Sequence, residues 1–149
     1  MVEIYVDADA CPVKEEVLRV ADRHGLVVHM VSNGGIRPST NPRVKLVIVP
    51  SGLDVADDWI AERIGPGDIA ITNDIPLADR CLKAGGVALR PNGAALTRDS
   101  IGMALATRNL MTDLRDSGQI TGGPRAFAAK DRSEFLNALE KLVRASLRG

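Results

Sequence analysis

The chain has 149 residues, of which 45% are hydrophobic and 26% are charged, and its 19 basic residues balance 19 acidic ones. This composition predicts one globular domain over residues 1–149, without a net charge that would draw it to nucleic acid or to a membrane. The two cysteines form no CxxC motif and no apolar run reaches transmembrane length, so we expect a reduced, cytoplasmic protein without zinc.

Short apolar runs rich in β-branched residues predict the strands. Because these runs are nearly continuous rather than alternating, we expect strands covered on both faces, as in a parallel sheet. Helical patterns separate most of them: one starts at Pro12 and stops at Gly25, one ends at Gly65 and one ends at Gly85. The alternation predicts a doubly wound, mostly parallel five-stranded α/β sheet flanked by helices. The predicted strands are 2–6, 26–31, 44–49, 68–72 and 86–90.

The C-terminal part of the chain predicts two further helices. Residues 100–118 form a helical pattern closed by Gly118, and residues 131–147 form the final helix. Asp131 and Glu134 stand at capping-box spacing, which predicts that Asp131 opens this helix as its N-cap. Two arrangements stay open: the pair packs on the sheet of its own chain, or on a second copy, which would make a homo-oligomer.

Acidic residues follow three of the predicted strands. In open α/β sheets, sites form outside the carboxyl ends of the strands, so these acids lie where a site is expected. Residues i and i+2 of an extended chain point the same way, and residues i, i+3 and i+4 share a helix face. The acids are Asp7 and Asp9 after the first strand, Asp54, Asp57 and Asp58 after the third, and Asp74 and Asp79 after the fourth.

The same acids also have a simpler structural interpretation. Asp9, Asp54 and Asp74 each precede a predicted helix and could serve as its N-cap. Capping uses one acid per helix, however, and Asp7 is left without a capping role. Its position directly after an apolar strand therefore favours a functional site.

Grouped carboxylates favour a hard divalent cation. Like charges raise one another's pKa unless a cation joins them, and Mg²⁺ and Mn²⁺ prefer oxygen ligands. The histidines, His24 and His29, lie in a helix end and a strand, where we expect structural roles rather than metal ligation. A carboxylate site on an α/β sheet suits phosphoester hydrolysis, in which a metal ion activates water and stabilises charge on the phosphate.

Three other residues are weighed as members of the site. Arg108 lies on the mostly apolar face of the helix predicted over 100–118, where it either extends to solvent or pairs with an anion such as a substrate phosphate. Lys14 lies one turn into the first predicted helix and could contact a phosphate, although exposed lysines are common. Cys11 is either a reactive thiolate at a helix start or a packed side chain, and the nearby carboxylates favour the packed side chain.

Long sequence blocks carry a resemblance to a known family. Together they resemble the YaiI/YqxD family of uncharacterised bacterial proteins, along essentially the whole chain. The resemblance implies a PIN-like domain, related in fold to metal-dependent ribonucleases, and hence a nuclease-like phosphodiesterase with RNA as the implied partner. The blocks are DADACPVK (7–14), DVADDWIAERIGPGDIAITNDIPLAD (54–79), GMALATRNLMTDLRDSG (102–118), and GGPRAF with DRSEF (122–127 and 131–135).

The resemblance also implies roles for individual residues. PIN-like domains carry one acid at the end of the first strand, another on a following helix, and one or two at a TxD turn after a later strand. Asp79 is the weakest correspondence, and Thr72 would orient a metal ligand or water by a hydrogen bond. The implied catalytic residues are Asp7, Asp9, Asp57 and Asp74; the implied ligands of Mg²⁺ or Mn²⁺ are these four with Asp58 and Asp79; the implied phosphate contacts are Lys14, Thr72 and Arg108.

Two alternatives to a nuclease remain. The stretch VDADA is also similar to the nucleophile–acid pair of haloacid-dehalogenase-like phosphatases, in which Asp7 would be phosphorylated and Asp9 would protonate the leaving group. A PIN-like fold could instead serve as a non-catalytic module that binds RNA or protein and keeps a structural metal. With only 3% aromatic residues, a stacking platform for single strands is not expected.

Overall fold

A computed structural model of the protein describes residues 2–8, 11–33, 42–50, 55–98, 100–102 and 129–147. Six strands form one sheet: β1 (Glu3–Asp7), β2 (Val27–Ser32), β3 (Val44–Ile48), β4 (Ile69–Ile71), β5 (Val87–Leu89) and β6 (Ala95–Leu96). Their order across the sheet is β3-β2-β1-β4-β5-β6, and every neighbouring pair is parallel except β5 and β6. The doubly wound, mostly parallel sheet is therefore confirmed.

The helices lie on both faces of this sheet. They are α1 (Lys14–His24), α2 (Val55–Arg63), α3 (Ile75–Lys83) and α4 (Ala129–Leu147), and residues 98 and 100–102 are also helical. Of the helix predicted over 100–118, only residues 100–102 belong to the described part of the chain. Across the described ranges, every helix is too short or too polar to span a membrane.

The central strand β1 separates two hydrophobic cores. Because side chains alternate along a strand, Ile4 and Val6 face α1 and α4, whereas Tyr5 faces α2 and α3. Ile4 and Val6 are fully buried, and each such burial contributes about 2 kcal/mol relative to exposure. The larger core also contains Val17, Val20, Val28, Met30, Ile71, Phe135, Leu139 and Val143, and the smaller contains Val31, Ile60, Ile64, Ala70, Leu77 and Cys81.

Helix α1 starts later than the sequence predicts. Its N-cap is Val13, which makes no capping hydrogen bond through its side chain, so Pro12 lies outside the helix. Asp9 is four positions before that N-cap, and the interpretation of Asp9 as the cap of α1 is therefore wrong. The helix ends as predicted at Gly25, whose φ of 67° is the left-handed conformation that glycine adopts readily.

Helix α4 starts earlier than predicted. It begins at Ala129, so Asp131 lies in its first turn rather than at the N-cap, and the predicted capping box is wrong. Asp131 is buried, with 4% of its surface exposed. The apolar face of α4 packs on the sheet of its own chain through Phe135, Leu139 and Val143. Of the two arrangements left open for the C-terminal helices, α4 thus adopts the first.

The strand predictions agree with the structure to within one residue at each end, but they omit β6. This two-residue strand pairs antiparallel with β5 after a turn at Pro91–Gly93, so the sheet has six strands rather than five. Both histidines have the expected structural contacts. The Nε2 atom of His24 lies 2.7 Å from Glu140, and that of His29 lies 2.9 Å from Glu3.

Candidate functional site

The candidate site lies where the direction of the sheet's winding reverses. The chain leaves β1 through α1 towards β2, whereas it leaves β4 through α3 towards β5, on the opposite side. The carboxyl ends of β1 and β4 are adjacent, so they border the crevice in which α/β sheets usually bind ligands. Asp7 ends β1, and Thr72 directly follows β4.

A chain of hydrogen bonds joins Asp7 to the segment after β4. The hydroxyl of Thr72 donates to Asp7 Oδ2 over 3.1 Å and accepts the backbone N–H of Asp74 over 3.0 Å. Thr72 is 2% exposed, so water competes little for these bonds. The arrangement brings together three of the predicted site residues: Asp7, Thr72 and Asp74.

Asp74 has the structural role that the sequence allows for it. It is the N-cap of α3, and its Oδ1 atom accepts the backbone N–H of Leu77 over 2.8 Å. Pro76 occupies the first turn, where its missing N–H has no helical partner to lose. Within the described ranges, Asp74 Oδ2 accepts no hydrogen bond. One oxygen thus anchors the helix while the other stays available for a ligand.

The other predicted ligands in the described ranges have contacts on α2 and α3. Asp58 Oδ1 accepts from Arg80 over 2.7 Å, and Asp79 lies 2.9 Å from Lys83 within α3. The hydrogen bond that Arg80 donates to Asp58 is the main reason that the pKa of Arg80 is raised, and the charges of Asp58 and Asp57 add to it. The first turn of α2, which carries Asp57 and Asp58, therefore packs against α3.

No three Asp, Glu, His or Cys side chains of the described ranges lie close enough together to hold a metal ion. Asp9, Asp54 and Arg108 lie outside these ranges. The ligand role of Asp9, the capping role of Asp54 and the phosphate contact of Arg108 therefore stay predictions.

Lys14 lies beside a surface cavity at the start of α1. The cavity has a volume of about 460 Å³ and is lined by Cys11, Pro12, Lys14, Glu15, Glu16 and Arg132. Arg132 comes from α4 and donates to the carbonyl of Pro12 over 2.7 Å and to Glu16 over 3.2 Å. The C-terminal helix therefore forms one wall of the cavity that Lys14 borders.

Cys11 is a packed side chain, as the nearby carboxylates suggest. It is 8% exposed, and burial raises the pKa of its thiol to about 11. A backbone hydrogen bond and Lys14 lower this pKa, and Asp7 and Glu16 raise it further. Both the burial and the raised pKa disfavour a reactive thiolate at this position.

Arg90 is a residue of this edge that the sequence reasoning missed. It directly follows β5, and its Nε atom lies 3.4 Å from Oδ1 of Asn73. Asn73 is the residue between Thr72 and Asp74 in the chain. The backbone N–H of Thr72 donates to the carbonyl of Leu89 over 3.1 Å, which aligns Thr72 with Arg90. The sequence feature that could have identified Arg90 is its position as the last residue of the predicted strand 86–90, because sites form at the carboxyl ends of strands.

Comparison with known proteins gives a family. The model of the "uncharacterized BCR, YaiI/YqxD family" matches residues 5–145. The chain is 63% identical to a UPF0178 protein of Parvibaculum lavamentivorans over 97% of this chain and 95% of the relative. It is 58% identical to a UPF0178 protein of Rhodospirillum rubrum over 99% of both chains. No solved structure matches the chain. On the strength of these matches, the chain belongs to the YaiI/YqxD family.

Proposed function

We propose that the protein is a Mg²⁺- or Mn²⁺-dependent phosphodiesterase that acts on RNA at the carboxyl ends of β1 and β4. The observation that carries the proposal is the hydrogen-bonded chain Asp7–Thr72–Asp74 at the reversal point of the sheet. RNA as the substrate comes from the resemblance to PIN-like ribonucleases.

The donor atoms at this edge suit a hard cation. Asp7 and Asp74 supply carboxylate oxygens, and magnesium sites often use one or two carboxylates with water. Asp9 and Asp57 are the further ligands that we expect. When bound, the metal would activate a water molecule and stabilise the charge of the phosphate.

The residues of the chain hold this site in a fixed geometry. The Thr72 hydroxyl restrains the Asp7 carboxylate, and capping of α3 restrains Asp74. Hydrogen bonds of this kind orient metal ligands and raise the metal affinity of a site. Lys14 and Arg108 are the cations that we expect to contact substrate phosphates. Because aromatic residues make up only 3% of the chain, we expect contacts to the RNA backbone rather than base stacking.

The first test combines metal binding with RNA cleavage. Calorimetric titration of Mn²⁺ and cleavage of a mixed panel of labelled RNAs should both detect activity in the wild type. Asp7→Asn should abolish cleavage, and Thr72→Val should lower it roughly 10- to 100-fold, because it removes the hydrogen bond that orients Asp7. Asp22→Asn, the same change at an exposed position of α1, should leave both properties unchanged. Absence of metal binding, with Asp7→Asn identical to wild type, would refute the proposal.

A second candidate is a binding module without catalytic activity. The observation that favours it is that Asp58, Asp74 and Asp79 all have structural partners. In that case, RNA would bind without being cleaved, and Asp74→Asn would not change its affinity. For either function we propose a cytoplasmic location, since Cys11 and Cys81 are free thiols, which suits a reducing compartment.

A further inference from the structure

Arg90 differs from most arginines of the described chain in its partners. It forms no ion pair there, and its one side-chain hydrogen bond in these ranges is the long Nε bond to Asn73, at 3.4 Å. It is also partly buried, which makes an uncompensated charge less favourable than on the surface. By contrast, Arg23, Arg63, Arg80, Arg132 and Arg144 each lie within 4.0 Å of a carboxylate.

The strand register aligns Arg90 with the candidate site. Val6 pairs with Ile71 and Ile71 pairs with Leu89, so the next position along each strand aligns Asp7, Thr72 and Arg90 in one row. Strands are about 4.8 Å apart, so the Cα atoms of Asp7 and Arg90 are separated by about 10 Å.

The row lies on one face of the sheet. Tyr5 and Ala70, two residues before Asp7 and Thr72, pack in the core formed with α2 and α3. Ala88, two residues before Arg90, packs against Ile75 and Ala78 of α3. Because side chains alternate along strands, the three members of the row are on the face covered by α2 and α3.

A cation in this row suits an anionic ligand. Carboxylates alone would repel a phosphate, whereas a guanidinium binds phosphate oxygens through parallel N–H donors. In the described ranges the terminal Nη groups of Arg90 donate no hydrogen bond, so they are available to a ligand.

We propose that Arg90 binds a backbone phosphate of the RNA at the β1–β4 edge, and that Asn73 positions its side chain for this contact. This rests on the proposed function, since it takes RNA as the ligand. The row Asp7–Thr72–Arg90 then combines the acidic end of the site with a phosphate contact two strands away.

The test measures RNA affinity as a function of salt. A fluorescein-labelled oligouridylate is titrated with each protein in EDTA, which prevents metal-dependent cleavage, and anisotropy gives the Kd at several KCl concentrations. Arg90→Gln should weaken binding roughly 10-fold, since charged hydrogen bonds are of that strength. It should also lower the slope of log K against log salt by about 0.7, the value for one phosphate contact to a single strand. Arg90→Lys should retain most of the slope, because it keeps the charge.

Arg19→Gln is the matched control, because Arg19 is exposed on α1 and has no partner in the described ranges. It should leave affinity and slope unchanged. Thermal unfolding of each variant checks that all are folded. Wild-type protein that does not bind the oligonucleotide, or an Arg90→Gln variant with wild-type affinity and slope, would overturn the proposal.

Cleavage in Mn²⁺ separates this proposal from the proposed function. Binding that depends on Arg90 but is followed by no cleavage would support the phosphate contact and refute the nuclease. Equal kcat/KM for wild type and Arg90→Gln would support the nuclease and refute the phosphate contact.

Discussion

At the scale of single residues, Asp74 shows how one side chain serves the fold and remains available to a site. Its Oδ1 atom caps α3, and its backbone N–H donates to the hydroxyl that also bonds Asp7. The sequence predicts the capping role, which is confirmed, and the metal-binding role, which stays a prediction. The two are compatible because a carboxylate has two oxygens.

Gly93 is the residue at which the turn between β5 and β6 meets α4. Its φ is 93°, and a Cβ atom there would lie 2.9 Å from the backbone carbon of Glu134. We expect Gly93→Ala to lower the free energy of unfolding by about 3 kcal/mol, through backbone strain and displacement of the helix. Urea denaturation measures this difference.

Gly67 provides the matched control for this prediction. Its φ is 83°, but no atom of the described residues lies within 4 Å of the position of a Cβ atom. Gly67→Ala should therefore show only the backbone strain, about 1–2 kcal/mol. Equal losses in the two variants would mean that the contact with α4 does not restrict residue 93.

The position of Arg90 beside Thr72 could not be read from the sequence, for a physical reason. Hydrophobic pattern predicts where a strand ends, and residue 90 is the predicted end of the last one. Which strand lies beside which is decided by tertiary packing. Arg90 becomes a neighbour of Thr72 only because β5 pairs with β4, on the side away from β1.

At the scale of elements, strands are predicted well where apolar runs are long, and poorly where they are short. The run that predicts β1 reflects burial on both faces, whereas β6 consists only of Ala95 and Leu96. Two residues are too few to show a hydrophobic periodicity, so the sequence pattern does not predict β6 as a strand. Its pairing with β5 depends on the turn that precedes it. Helix ends are missed for a similar reason, since Val13 caps α1 without a capping side chain.

Glu140 forms polar contacts between α1 and α4, beside their apolar packing. Its carboxylate accepts from Arg23 over 2.8 Å and from Arg144 over 2.8 Å, and it lies 2.7 Å from His24. Burial alone would raise the pKa of Glu140, but the hydrogen bonds from His24 and Arg144 outweigh it and lower that pKa below its ordinary value of 4.5. A lowered pKa in the folded state stabilises the protein at pH values above the ordinary one.

We therefore expect the effect of Glu140→Gln to depend on pH. At neutral pH the variant should be less stable than wild type by roughly 1 kcal/mol, a modest value because Arg23 and Arg144 are largely exposed. The difference should shrink below pH 4.5 as the wild-type carboxylate is protonated. Urea unfolding across this range checks it. Glu62→Gln, at an exposed position 3.7 Å from Arg63, should show little difference at any pH. A stability loss of Glu140→Gln that does not change with pH would contradict its assignment to the charge of Glu140.

At the scale of the whole molecule, the strand order positions the candidate site. Alternating strands and helices predict the doubly wound class, and the class predicts that sites lie at the carboxyl edge. The sequence alone does not predict that β1 and β4 are the adjacent pair. Because these strands are adjacent, Asp7 and Asp74, which are 67 positions apart in the chain, both form hydrogen bonds with the hydroxyl of Thr72.

The C-terminal helix completes the larger core, and its removal should affect the entire fold. Leu139 is fully buried, so Leu139→Ala should lower the free energy of unfolding by about 2–5 kcal/mol. Leu147→Ala, the same change at a position 48% exposed, should lower it by no more than about 0.5 kcal/mol. Denaturant unfolding followed by circular dichroism compares the two. Similar losses would show that α4 contributes little to the core.

The same packing has a consequence during synthesis. The larger core contains Val2 near one end of the chain and Val143 near the other. A ribosome releases the chain from its N-terminal end, so β1, α1 and β2 emerge long before α4. Helix α1 covers part of the apolar face of the two strands, and the part that packs against Phe135, Leu139 and Val143 stays uncovered until about residue 143 leaves the exit tunnel. We therefore expect the nascent chain to reach its native state only after α4 has emerged.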